Sequence, residues 1–367
     1  MKEKKVGYID AFKGIAIIAV TFAHAGGGEL PGIFGKIGDD GARGVQMFFV
    51  ISGMLAFKSL ESFFESPRNV TLKGSMYWYV KKLLRLAPMY YLAVLISMVT
   101  GSWSTYWLGN EGHVSVKNII AHILMVHGLF PHYADSILGV EWYLGCLWLF
   151  FLVSPFIYKY IDSLEKSLIV SVTAYIVMPF LNLGLAHILP IDRDPNIYEG
   201  YRYTFSPFAQ FWVYLLGIIL YFAMKRIRDI EIDKRAVLSY ALLLFGLIAL
   251  YGQINGAGSI FLLSRTDMFG LWFFIIILSQ FIHTVKAIDN PIFSIFGKYS
   301  FGIYLFQFIW LNFYNRYIGY SGRFQVIIRF LVSLGVLLGI SFILTRFVEM
   351  PIIRKLEMIM PKEKRKL

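Results

Sequence analysis

The chain has 367 residues, of which 57% are hydrophobic and 16% are charged, and its formal net charge is +12. Because a soluble domain carries about a quarter charged residues, this composition excludes an ordinary soluble protein. The excess Lys and Arg lie mostly in short hydrophilic loops and tails, where they orient membrane helices. No nucleic-acid-binding motif accompanies them, so nucleic acid is not an expected partner.

Eleven apolar stretches follow one another along the chain, and most have the roughly 17–25 residues needed to cross about 30 Å of hydrocarbon. We therefore predict an all-α membrane helix bundle. The fourth stretch is short and is followed by Pro131, which suits a re-entrant or interfacial helix better than a span. The stretches cover residues 8–25, 45–64, 80–100, 117–130, 141–160, 166–188, 207–224, 236–255, 267–284, 293–314 and 325–348.

The distribution of basic residues favours ten spans with both ends of the chain in the cytoplasm. If 117–130 does not cross, every dense Lys/Arg cluster lies on the same side as the basic N-terminus. Counting that segment as a span would place four basic segments outside, namely 159–167, 225–235, 283–292 and 354–367. We therefore predict about ten spans plus one short segment that does not cross.

The first apolar stretch also has features of a signal peptide, with a basic start, an apolar middle and the small-x-small sequence AHA at 23–25. Asp10 and Lys13 interrupt the approach to its apolar part. We therefore expect an uncleaved first helix.

Lys13 and His24 are ionisable residues at the two ends of this first span. At 100° per residue they differ by three turns and about 20°, so they share one helical face about 16 Å apart, and Asp10 joins that stripe. Ionisable groups inside spans mark function by default. The alternative is a lysine that extends to the membrane surface and an interfacial histidine, and the spacing leaves both open.

The next two spans contain further candidates. Arg43 precedes the second span, and Ser52 and Gly53 lie in its middle, where small residues usually permit close helix packing. Lys82 and Arg85 are three residues apart and project together at the cytoplasmic start of the third span. They either anchor the helix or bind anionic phosphates, for which Arg offers a forked set of donors.

Glu141 opens the span at 141–160 on the outer side. It is a candidate acid, base or hydrogen-bond partner for His24, or an acidic residue that favours the positive end of a helix. His122 and His127 are five residues apart, which fits one helix face poorly. No carboxylate completes a metal-ligand pattern, so no metal site is expected.

In this order the motifs resemble those of acyltransferase family 3, the integral membrane O-acyltransferases that acylate cell-surface carbohydrates in bacteria. Lys13 and His24 resemble the family's basic residue, ten intervening positions and histidine. The most specific match is the second-span signature Gly-Val-x-x-Phe-Phe-Val-x-Ser-Gly. The matching segments are GVQMFFVISGMLAF (44–57), KKLLRLAPMYYL (81–92), EWYLGCLWLFFLVSPFIY (141–158), GKYSFGIYLFQF (297–308) and VEMPIIRK (348–355).

The resemblance covers residues 7–355. It implies a single membrane acyltransferase domain over 1–367, with a basic cytoplasmic tail at 356–367. The chain departs from the family pattern at several positions. Lys13 replaces a commoner Arg, and Leu147 stands where many members have Glu. Gln307 stands where many have His, so a second catalytic histidine is not expected there.

The family implies acyl-CoA, often acetyl-CoA, as a donor on the cytoplasmic side and a carbohydrate hydroxyl as acceptor, at the bacterial plasma membrane. It implies no permanently bound cofactor. On this interpretation His24 is the general base, since a group that titrates near neutrality is efficient there. The donor would be bound by Lys82, Arg85, Lys13 and Arg43, and the catalytic group would comprise His24, Lys13, Glu141 and Ser52, with Ser52 and Arg43 as oxyanion donors.

Two other function classes fit a polytopic bundle. A transporter or flippase for a lipid-linked sugar also uses intramembrane charges, but the sequence has no inverted-repeat signal and no matching pair of broken helices. A non-enzymatic scaffold in a polysaccharide assembly complex is the other alternative.

Overall fold

The computed structural model describes residues 7–104, 114–188, 199–228, 234–258 and 263–359. Within these ranges the chain is helical and contains no β-strand, which confirms the predicted all-α class. The helices are α1 Gly7–His24, α2 Gly32–Gly41, α3 Gly44–Phe63, α4 Leu72–Thr100, α5 Val116–Ile123, α6 Trp142–Tyr160, α7 Leu164–Ile188, α8 Pro207–Arg228, α9 Arg235–Ile254, α10 Arg265–Ile282, α11 Pro291–Tyr317, α12 Arg323–Leu344 and α13 Met350–Ile359.

Nine segments of the described chain are long and apolar enough to cross a membrane, which is the property expected of a polytopic bundle. They contain α1, α4 and all helices from α6 to α12. Helix α3 covers the predicted second span with 20 residues but is not among the nine. It carries the charged residues Lys58 and Glu61 near its end. The cytoplasmic position of both chain ends stays a prediction.

The segment predicted not to cross the membrane forms only the short helix α5 and a 3₁₀ turn at His127–Leu129. Eight helical residues extend about 12 Å, less than half of the hydrocarbon thickness. Between the helix and the turn, Met125 has φ 56°, a left-handed conformation that is uncommon for a residue with a side chain. The helix therefore ends here instead of continuing as a span.

Contacts within the chain define two compact units. The first consists of Met1–Ile51 and Ala223–Phe342, and the second of Ser52–Phe222 and Ile343–Leu367. The candidate residues Lys13, His24 and Arg43 belong to the first unit. The second contains Ser52, Lys82, Arg85 and Glu141.

In the first unit α1 and α11 pack side by side in parallel, and glycines let their backbones touch. A Cβ atom added at Gly14 would lie 1.9 Å from the carbonyl oxygen of Phe293, and one at Gly297 would lie 1.6 Å from that of Asp10. Only glycine fits at such distances. The packing brings the end of α1 beside the middle of α11, where Gln307 lies.

The glycine run after α1 forms the turn that leads into α2. Gly26 has φ 91°, a conformation that glycine adopts without steric cost. Gly38 of α2 approaches the turn so closely that an added Cβ would lie 2.1 Å from the carbonyl carbon of Gly27. Helix α2 thus folds back onto the end of α1.

Candidate active site

His24 is the last residue of α1, and its hydrogen bond determines which ring nitrogen carries the proton. Nδ1 lies 3.0 Å from Oε1 of Gln307, and the Nε2 group of Gln307 donates to the carbonyl of Tyr304 at 3.0 Å. The bond to Tyr304 fixes the orientation of the amide, so its acceptor oxygen faces the histidine. Nδ1 therefore donates, and the lone pair of the neutral ring is on Nε2.

The remaining surroundings of the His24 ring are apolar on one side and partly open on another. The ring lies against Phe308 with a centroid distance of 4.5 Å. The residue is partly exposed, and its hydrogen bonds among the described residues involve Nδ1 alone. A reacting hydroxyl can therefore reach Nε2, which is the geometry a general base needs.

Lys13 lies on the same continuous helix, with its Nζ atom 3.4 Å from Oδ1 of Asp10. The two side chains are 19% and 20% exposed. Ten residues lie between Lys13 and His24, so the two are eleven residue steps or about 16 Å apart along the axis. The predicted stripe of ionisable residues thus exists on α1, with Lys13 partly neutralised by its neighbour.

Arg43 lies beside the central part of α1, between the levels of Lys13 and His24. Its Nη1 donates to Oγ1 of Thr266 at 3.1 Å, and the adjoining Gly44 is so close to α1 that an added Cβ would lie 2.7 Å from the carbonyl oxygen of Ala16. Burial lowers the pKa of Arg43, and the carboxylate of Asp40 opposes that shift. The guanidinium stays charged because its ordinary pKa is so high.

Arg329 of α12 is a buried cation that the sequence analysis did not identify. It is 4% exposed, and its Nη1 donates to the carbonyl of Ala25, the residue after His24, at 3.2 Å. Its guanidinium lies 4.2 Å from the ring centroid of Tyr320, whose hydroxyl donates to Oε1 of Glu29 at 2.8 Å. A charged residue inside the apolar stretch 325–348 was the signal that could have revealed it.

In the second unit, Ser52 and Gly53 have different roles. The Oγ atom of Ser52 lies 3.2 Å from the hydroxyl of Tyr143. A Cβ atom at Gly53 would lie 2.2 Å from the carbonyl oxygen of Tyr214, so this glycine permits the close packing of α3 against α8. The serine hydroxyl remains a candidate donor, whereas the glycine has a packing explanation.

Lys82 and Arg85 lie on α4 in different surroundings. The Nζ atom of Lys82 lies 4.8 Å from the ring centroid of Trp78 and 5.1 Å from that of Phe151, which is cation–π geometry. Trp78 is held in turn by a 2.9 Å hydrogen bond to Ser59. Arg85 is exposed. The pair thus combines one cation held on an aromatic surface with one that extends outward.

Glu141 is fully buried, and backbone groups surround its carboxylate. Oε1 accepts from the amide of Ile137 at 2.5 Å, and Oε2 accepts from the amide of Val140 at 3.1 Å. Nε2 of His122 lies 3.5 Å from Oε1. Burial raises the pKa of Glu141, but its bond to His122 and the charge of that ring outweigh burial and lower the pKa.

His122 and His127 come together, although their spacing fits one helix face poorly. Across the left-handed residue Met125 the two rings stack at a centroid distance of 4.3 Å and an angle of 11°. Nδ1 of His122 lies 2.9 Å from the carbonyl of Asn118, and Nε2 of His127 lies 3.0 Å from the carbonyl of Glu141. Burial, aided by His122, lowers the pKa of His127 to about 3, so that ring is neutral.

No group of three or more His, Cys, Asp or Glu side chains in the described part of the chain could hold a metal ion. The nitrogens of the stacked histidines face carbonyl, carboxylate and hydroxyl oxygens instead. The arrangement is therefore a buried hydrogen-bonded network.

Comparison with protein-family models gives one match. The model of acyltransferase family 3, described as an acyltransferase domain, matches residues 6–346. No solved structure matches the chain.

Relatives from Staphylococcus aureus carry the name "Putative O-acetyltransferase". Those of strains COL and MSSA476 are 26% and 25% identical to this chain over 379 residues. Each alignment covers 95% of this chain and 58% of the relative, so the chain spans less than two thirds of the length of the relatives it matches.

Proposed function

The chain belongs to acyltransferase family 3, and we propose that it is a membrane O-acyltransferase that transfers an acyl group, with acetyl as the first candidate, from acyl-CoA to a hydroxyl of a cell-surface or exported carbohydrate. The family match and the O-acetyltransferase names of the relatives support the reaction class. We further propose that it works in the bacterial plasma membrane, with the donor entering from the cytoplasm.

One observation carries the assignment of the base: Gln307 accepts from Nδ1 of His24 and leaves the lone pair on Nε2. In the proposed step Nε2 removes the proton of the acceptor hydroxyl. The hydroxyl oxygen at the same time attacks the thioester carbonyl carbon. The tetrahedral intermediate then collapses, the C–S bond breaks, and the leaving CoA thiolate takes the proton from the imidazolium. An ester and free CoA result, and His24 is neutral again. Transfer through an acyl-His24 intermediate is a variant of the same chemistry.

The donor would approach His24 along the stripe of α1. We assign Lys13, Lys82 and Arg85 to the CoA phosphates, because these are cations near the predicted cytoplasmic ends of their helices. The roughly 16 Å from Lys13 to His24 would be bridged by the extended pantetheine arm.

The oxyanion of the intermediate needs hydrogen-bond donors that are already in position. Arg43 lies beside the part of α1 between Lys13 and His24, which suits the acyl carbonyl better than the CoA phosphates. Ser52 stays a candidate from the sequence alone. Glu141 has the contacts of a structural carboxylate, since backbone amides and His122 occupy its oxygens. We therefore assign it to the buried network and give it no proton-transfer step.

The proposal is tested with the purified protein in lipid nanodiscs, supplied with acetyl-CoA and surface glycans extracted from the producing cells. We expect CoA release that depends on the glycan, together with an acetyl ester detected on it by mass spectrometry. Movement of unmodified lipid-linked sugar across a vesicle membrane without CoA release would instead identify a transporter. Comparison of surface glycans from cells with and without the gene then identifies the ester in its natural setting.

A further inference from the structure

We propose that Glu29, Tyr320 and Arg329 form the acceptor subsite beside His24, and that this subsite selects a neutral, hydroxyl-rich sugar unit over one that carries a phosphate or carboxylate. The inference rests on the proposed acyl transfer and adds to it the residues that hold the acceptor. None of the three was identified from the sequence.

The first support is position. Helix α1 ends at His24, and the next carbonyl, that of Ala25, accepts a hydrogen bond from Nη1 of Arg329 at 3.2 Å. This bond ties α12 directly to the end of the helix that carries the proposed base. A group bound at Arg329 would therefore lie beside the residue that follows His24.

The second support is the convergence of three polar groups on Gly26. A Cβ atom added there would lie 3.0 Å from Oε1 of Glu29 and 3.5 Å from both Nη1 of Arg329 and the hydroxyl of Tyr320. Gly26 has φ 91°, so its left-handed turn exposes backbone where a side chain would otherwise project. The missing side chain at Gly26 thus lets Glu29, Tyr320 and Arg329 approach the turn closely.

The third support is an unsatisfied donor. Arg329 is 4% exposed, and its Nε group is buried without a hydrogen-bond partner among the described residues. An unpaired buried donor is costly, and more so on a charged group. The described chain thus leaves this donor unused, and a bound acceptor oxygen reaches it only if the guanidinium shifts.

The charges of the subsite indicate which molecule fits. Glu29 is exposed, and only one of its oxygens takes the 2.8 Å hydrogen bond from Tyr320. A sugar hydroxyl can accept from the guanidinium of Arg329 and donate to the carboxylate of Glu29 at once. An ionised carboxylate has no hydrogen to donate to Glu29 and is repelled by it, whereas a hydroxyl bonds to both residues, so the pair favours a neutral acceptor.

The test uses full-length protein in nanodiscs with two probes of equal length, neutral cellotetraose and anionic tetragalacturonate. Binding is measured by saturation-transfer NMR and acetyl transfer by CoA release. The variants are Glu29→Gln, Tyr320→Phe and Arg329→Gln, with Arg323→Gln as a matched control at the exposed start of α12. Because Arg329 is buried and its variant can fail to fold, the variants of the exposed Glu29 and the half-exposed Tyr320 decide the outcome.

We expect the wild type to bind cellotetraose more tightly than tetragalacturonate. Glu29→Gln and Tyr320→Phe should each weaken cellotetraose binding about tenfold, the scale of a hydrogen bond to a charged group, with no change in the KM for acetyl-CoA. Unchanged affinity in both variants, a preference for the anionic probe, or no binding of cellotetraose to the wild type overturns the subsite.

Failure of the proposed acyl transfer has a different signature. In that case no CoA is released with either probe, yet the wild type still binds cellotetraose and the variants bind it less. His24→Ala separates the two claims in the same way, because it should stop transfer and leave cellotetraose binding intact.

Discussion

His24 in the first compact unit and the histidine pair in the second differ in which ring nitrogens a substrate can reach. In the first unit one nitrogen of His24 is bonded to Gln307 and the other is not bonded within the described chain. In the second, the nitrogens of His122 and His127 face Asn118, Glu141 and Tyr90. The buried cluster around Glu141 contains more ionisable groups, but only the partly exposed His24 has a ring nitrogen, Nε2, that can react with a substrate. A dense cluster of ionisable groups is therefore a weaker sign of catalysis than one accessible lone pair.

The largest expected effect is on turnover, when His24 is replaced. His24→Ala should lower kcat about 10²–10⁴-fold, the usual contribution of a general base, and leave the unfolding temperature unchanged. CoA release and intrinsic fluorescence during heating measure the two quantities. His283→Ala is the matched control, since that histidine is exposed at the end of α10. Turnover within threefold of the wild type would remove His24 from the mechanism.

Changes in the buried cluster around Glu141 should lower the stability of the protein. Glu141→Ala leaves buried polar groups without a partner and should destabilise the protein by about 3–5 kcal/mol, seen as a lower unfolding temperature in nanodiscs. Asp162→Ala breaks the exposed pair with Lys166 and should cost far less. If Glu141→Ala instead abolishes turnover at an unchanged unfolding temperature, the carboxylate belongs to the catalytic group after all.

Variants of Gln307 test whether its bond to Nδ1 keeps the lone pair of His24 on Nε2. Gln307→Leu removes the acceptor that holds Nδ1–H and should lower kcat about tenfold, because the ring can then adopt the unproductive tautomer. Gln307→Glu should move the acidic limb of the pH–rate profile to higher pH, since a carboxylate at Nδ1 stabilises the imidazolium and the base works only when neutral. An unmoved limb would show that another group titrates there.

The smallest effect is the pH dependence of the buried group. The pKa of His127 falls from 6.5 to about 3 on folding, so the unfolded chain binds the extra proton. Its contribution to stability is therefore complete above pH 6.5 and is lost as the pH falls toward 3. At about pH 5.5 the loss from this residue should be about 1.4 kcal/mol. The unfolding temperature should drop less between about pH 7.5 and 5.5 in His127→Asn than in the wild type.

Hydropathy predicted the helical class and the segment that does not cross, because length and apolar character decide whether a helix can span the bilayer. The spacing of Lys13 and His24 placed both on one face of α1. Sequence could not supply the partner of His24, since Gln307 is 283 positions away and its contact depends on how α1 packs on α11.

The stacking of His122 on His127 was missed for another reason. It depends on a left-handed conformation at Met125, a residue type that gives no local signal for such a turn. Arg329 was missed despite a usable signal, because a single arginine in a long apolar stretch is easily attributed to its helix end. Its importance follows only from the carbonyl of Ala25.

The glycine contacts between α1 and α11 have a mechanical consequence. Gly14 rests on the backbone at Phe293, about 15 Å along the helix from His24. It acts as a fulcrum, and a tilt of about 10° at that point would move the histidine by roughly 2.6 Å over this lever arm. Such a displacement would break the bond to Gln307. The position of Nε2 of His24 thus depends on the lack of a side chain at the distant Gly14. A methyl group there, as in Gly14→Ala, would displace the ring without contacting the site.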